Sequence, residues 1–126
     1  MKLKKVGTYN AGNIKFTVFL CPGIDGEGKI DPTIVKVHHE LWLGADVDNW
    51  HEMVDTLLHE VGECLRAIFR YRYVLDSDYA NLKRDCTFIL NHNQYSDLCA
   101  REGMFLAECL PDLADAWKLW KKDKKK

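Results

Sequence analysis

Along the chain, apolar residues first alternate with polar ones and then recur at helical spacing. Residues 13–20, Asn-Ile-Lys-Phe-Thr-Val-Phe-Leu, place Ile14, Phe16, Val18 and Leu20 on one face of a strand. A second strand is expected from Ile34 to Leu43, with Val35, Val37, His39, Leu41 and Leu43 on one side, and residues 3–9 offer a shorter third. The stretch from Cys21 to Pro32 is dense in glycine and proline and reads as a loop. Beyond it Asp48 or Asn49 can cap a helix, and Asn49 with Glu52 fits a capping box. Apolar side chains then recur at 50, 53, 54, 57, 58, 61, 64, 65, 68 and 69, one continuous stripe that ends near Tyr71.

Residues 72–90 suit either a short helix or a strand after a turn at Asp76-Ser77-Asp78. A second long helix starts at Asn91-His92-Asn93-Gln94, another capping box, and its stripe runs through Tyr95, Leu98, Cys99, Phe105, Leu106, Cys109, Leu110, Leu113, Trp117 and Trp120. The stripe keeps phase across Pro111, so either one helix kinks there or a new one starts with proline in its first turn. The expected architecture is a single α+β domain, a small N-terminal antiparallel sheet followed by packed helices, with 121–126 a frayed basic tail.

A length of 126 residues fits one core, and no apolar run approaches the ~20 residues of a membrane span. No signal peptide is recognisable behind the charged start, so a cytoplasmic protein is expected. Cys21, Cys64, Cys86, Cys99 and Cys109 form no paired spacing and read as reduced, buried thiols. Six lysines lie from Lys118 onward against Asp123 alone, and the rest of the chain is net acidic. That balance argues against a nucleic-acid partner, and the lysines suit the negative end of a helix dipole. The expected partner is a protein or peptide, with neither nucleic acid nor membrane.

The candidate chemistry lies in the first helix. Residues four apart share a helix face, so His59 and Glu63 form a pair of ligands for one divalent ion. Imidazole and carboxylate both suit Zn²⁺, and Glu60, about 100° around the helix, could act as general base towards a metal-bound water. His92, at the start of the last helix, is the expected third ligand. Glu102 is the alternative, although a carboxylate in the apolar stripe calls for a salt bridge to Arg66, Arg70 or Arg101. A plainer reading makes His59 and Glu63 a solvated i,i+4 pair worth ~0.2–0.5 kcal/mol.

His59-Glu60-x-x-Glu63 resembles the H-E-x-x-H helix of zincin metallopeptidases, with glutamate in place of the second histidine. The order of elements over residues 13–71 resembles a minimal zincin such as the small stand-alone minigluzincins. The resemblance implies that His59 is a zinc ligand and Glu60 the base. Glu63 can still ligate zinc, but its presence puts peptidase activity in doubt. The chain also resembles small phage-encoded proteins, on no single motif. Two functions follow: a zincin-like metal-binding protein that is a degenerate zinc-dependent peptidase, or a non-enzymatic binding or inhibitor protein. A subunit assembling through its C-terminal tryptophans is a third.

Weaker candidates fall away on geometry. His38 and Glu40 share one strand face and His39 takes the other, as a core histidine. His51 fits a first helical turn and needs no role. The glycines of 21–28 lack a phosphate-binding spacing, and Asp25, Glu27 and Asp31 lack that of a calcium loop. Cys99 and His92 stand about 10 Å apart on a helix, too far for a nucleophile pair. Trp42, Trp50, Trp117 and Trp120 read as core anchors.

Overall fold

The computed structural model describes residues 2–29, 38–73 and 87–124. Its elements are β1 (Lys4–Ala11), β2 (Ile14–Cys21), β3 (Gly26–Lys29), β4 (His38–Gly44), α1 (Trp50–Ile68), β5 (Arg72–Tyr73), β6 (Thr87–Phe88) and α2 (His92–Lys124). The fold is α+β: a four-stranded sheet, order β1-β2-β4-β3, followed by two helices, with β5 and β6 paired as a small separate ribbon. Expected strand residues 34–37, the undecided stretch 74–86 and Cys86 lie outside the described residues.

The sheet differs from the expected antiparallel one in a single pairing. β1–β2 and β3–β4 are antiparallel, but β2 and β4 run parallel. The parallel pair arises because the chain leaving β2 crosses the end of β4 before forming β3 on its far side. Three backbone bonds fix the crossing: Ala45 N–H to Cys21 O (2.8 Å), Asp46 N–H to Gly23 O (2.9 Å) and Gly44 N–H to Asp25 O (2.9 Å). A Cβ on Gly44 would lie 2.6–2.7 Å from backbone atoms of Asp25 and Gly23, so only glycine fits beneath the crossing chain.

A second difference is β3 itself, which lies inside the stretch read as a loop. Gly26 and Gly28 pair with Leu43 and Leu41, so their missing side chains face the helices. The glycine density that mimics a loop is the device that lets α1 approach the strand. A Cβ on Gly26 would come within 2.7 Å of both Thr56 Cγ2 and Glu60 Cγ.

Both helices cover one face of the sheet. Phe16, Val18 and Leu20 of β2 and Leu41 and Leu43 of β4 are fully buried against Met53, Leu57, Val61 and Leu65 of α1 and Leu98, Phe105 and Leu113 of α2. His39 is buried on the same face, its ring 5.7 Å from that of Phe16. The capping box of α1 forms, with Glu52 N–H donating to Asn49 Oδ1 (3.0 Å) and Asp48 N–H to Glu52 Oε2 (2.9 Å). Asn91 and Gln94 cap α2 reciprocally, at 2.9 and 2.7 Å.

α2 passes Pro111 as one helix. Its stripe is narrower than the sequence suggests: Leu98, Phe105, Cys109, Leu113, Trp117 and Trp120 are buried, whereas Tyr95 and Cys99 are exposed. Helical structure also continues into the basic tail as far as Lys124, which pairs with Asp46. Trp117 donates to Ala45 O and Trp120 to Asp46 Oδ1, each at 3.0 Å, so these two indoles anchor α2 to the chain after β4.

Candidate functional site

α1 carries the motif with its sheet-facing side buried. His59 lies on the exposed side, its side chain 68% accessible, whereas Glu60 and Glu63 retain only 10% and 12%. His59 Nε2 is 3.0 Å from Glu63 Oε2 and 3.9 Å from Glu60 Oε1. The i,i+4 pair expected from spacing is therefore formed.

Glu60 occupies a different setting from a solvent-facing base. Its carboxylate sits under the glycine strand β3 and accepts the Gly28 N–H. Burial raises its pKa, opposed by His59 and by the Gly28 N–H, while Glu63 and Glu27 reinforce the rise. Beside it the Cys64 thiol is pushed up by burial and by the two carboxylates. Glu60 thus supplies a hydrogen-bond acceptor to an N–H of β3, a structural duty that its sequence position alone does not disclose.

The two proposed third ligands part company. His92 is exposed at the first position of α2, and the structure does not bring it into a ligand set with His59 and Glu63. Among the described residues no group of three or more His, Cys, Asp or Glu side chains is placed to hold a metal ion. Glu102 does face α1, but it is engaged: Arg66 Nη1 donates to Glu102 Oε1 at 2.9 Å and to Gly62 O at 3.0 Å. Both partners of this ion pair are about one-fifth exposed, and it is one of the pairings expected for Glu102. Among the described residues His59 and Glu63 stand together without a third donor, short of the three protein ligands typical of a catalytic zinc site.

Around the Arg66–Glu102 pair lies a surface that the periodicity misses. The Arg66 guanidinium is 5.3 Å from the centre of the Phe88 ring. Tyr95 stands in the first turn of α2, two turns before Glu102. Phe88, Ile89 and Tyr95 are 42%, 62% and 53% exposed, and Leu58, on the same row of α1 as Gly62 and Arg66, is exposed as well.

No family model, curated protein or solved structure matches this chain. Its own residues therefore carry the functional argument.

Of the remaining candidates, Cys21, Cys64 and Cys109 are buried free thiols, as expected, whereas Cys99 is exposed, beside the buried Leu98 of α2. Sequence reasoning weighed Arg66 only as a partner for Glu102. The available signal was its position eight residues after Leu58, on the α1 face that carries no stripe residue between them.

Proposed function

We propose that the protein is a non-enzymatic binding protein, and that it takes a protein or peptide partner on the surface where α1, β6 and the first turns of α2 meet. One observation carries this reading: the exposed Phe88 ring lies against a half-buried arginine held in place by Glu102 and Gly62, and Ile89, next in the chain, and Tyr95, in the first turn of α2, are exposed as well. Aromatic residues and arginine are the side chains most enriched where binding energy concentrates. An arginine already fixed by two hydrogen bonds has less rotamer entropy to lose on binding. A cytoplasmic setting accords with the free thiols at Cys21, Cys64 and Cys109.

The test is site-specific photo-crosslinking in the cells that make the protein, from a photoreactive residue in place of Tyr95, with Asp55 as control. A discrete adduct from position 95 is expected, absent from position 55 and lost when Ile89→Lys is added. Equal labelling from both positions, or labelling indifferent to Ile89→Lys, overturns the reading.

A second reading, metal binding at the motif, is favoured by the 3.0 Å separation of His59 Nε2 and Glu63 Oε2. Those two residues would be the ligands, with zinc as the ion the resemblance implies. The described donor set does not complete a catalytic site, so no reaction step is assigned to it.

A further inference from the structure

Two basic runs far apart in sequence meet in the fold. Lys2 Nζ stands 5.0 Å from the centre of the Trp120 ring, which brings the chain before β1 against the last turns of α2. There Lys118, Lys121, Lys122 and Lys124 follow one another with Asp123 as the single carboxylate among them. Among the described residues, Lys124 is ion-paired with Asp46 and Lys121 lies over the Trp117 ring. Asp46 also accepts from Gly23 N–H and Trp120 Nε1 and is held as an anion down to about pH 2, so it neutralises Lys124 and little else. The dipole of α2 contributes only about half a negative charge here. The result is a cationic pole on a chain whose remainder is acidic.

Two exposed leucines adjoin this contact in the sequence. Leu3 follows Lys2 in the chain, and Leu119 precedes Trp120. We propose that this pole is a docking surface for an anionic membrane, with lysines meeting headgroups and Leu3 and Leu119 entering the interface. The choice of a bilayer over a nucleic acid follows from what is exposed. Trp117 and Trp120 are buried and hydrogen-bonded, so no ring here is available to stack on a base. Exposed leucines beside lysines suit a headgroup–acyl boundary, where apolar burial and electrostatic attraction act together. A cavity of about 240 Å³ between Val47, Trp120, Lys121 and Lys124 is smaller than the ~300 Å³ at which small-molecule sites begin, so the pole acts as a surface. It lies roughly 35–40 Å along α2 from Tyr95, so its success or failure is separate from that of the protein-binding surface.

The test is co-sedimentation of the full chain with vesicles of neutral phosphatidylcholine, with and without phosphatidylserine, at low and high salt. Preference for the anionic vesicles is expected, lost at high salt. The variants Lys118→Gln and Lys122→Gln should each weaken it about fivefold. The double variant Leu3→Ser/Leu119→Ser should weaken it at unchanged charge, and all variants should keep the wild-type melting temperature because these side chains are exposed. No preference for anionic vesicles overturns the proposal. Loss on lysine substitution without loss on leucine substitution, or tighter binding to single-stranded poly(U) than to vesicles, also overturns it in favour of a general polyanion site.

Discussion

Asp46 shows how much one side chain does at the end of this sheet. It accepts from Gly23 N–H at 2.7 Å, pairs with Lys124 and accepts from Trp120, and these contacts hold its carboxyl near 2, against an ordinary value of 3.8. A depressed folded-state pKa contributes stability that is complete above the unfolded value and disappears as pH falls through the folded one. Stability should therefore decline between about pH 4 and pH 2, and Asp46→Asn should remove that part of the acid sensitivity at a cost of about 1 kcal/mol at pH 7. Urea melts of both proteins across this range check the prediction. Glu60 carries the opposite sign. Its raised pKa favours the protonated form, so its contribution is complete below the unfolded value and declines as pH rises through the folded one. Glu60→Gln, which keeps an acceptor for the Gly28 N–H, is expected to melt at or above the wild-type temperature at pH 7. A large destabilisation would show that the charge itself is needed. Gly44→Ala forces a Cβ into the crossing chain and should cost about 2–3 kcal/mol by the same urea measurement.

At the scale of elements, α1 and α2 owe their starts to capping boxes read directly from Asn49–Glu52 and Asn91–Gln94. Asn49→Ala is expected to cost about 1 kcal/mol of stability in a thermal melt. The two helices are joined through Arg66–Glu102, and a double-mutant cycle on this pair should give a coupling energy near 1 kcal/mol, because both side chains keep some solvent contact. Coupling near zero would mean that the pair does not fix the helix crossing. Much of this level was legible. The face Ile14, Phe16, Val18, Leu20 and the α1 stripe follow from period alone, and both reappear in the core apart from Val54 and the exposed Leu58. What period could not disclose is equally physical. β3 lacks apolar side chains because α1 fills their place, so its alternation is written in glycines and looks like a loop. Tyr95 and Cys99 keep helical phase with the core, yet both are exposed while Leu98 between them is fully buried.

For the whole molecule, the sequence placed the α+β fold and the His59–Glu63 pair but could not place the third member of any site, which depends on how α2 crosses α1. That crossing sets Glu102 against Arg66 and leaves His92 at an exposed helix start. A cation does face the glutamate of the second helix, and it is a guanidinium. The surface around it is apolar and aromatic, as a binding face would be. No helix among the described residues is long and apolar enough to cross a membrane. The central claim, a binding protein rather than a zinc enzyme, is tested most directly by metal content per chain. The measurement is elemental analysis of tag-free protein prepared without chelator, for wild type and His59→Ala. Zinc well below one ion per chain is expected in both proteins. Near-stoichiometric zinc in the wild type that disappears in His59→Ala would contradict it and restore His59 and Glu63 as ligands of a metal centre.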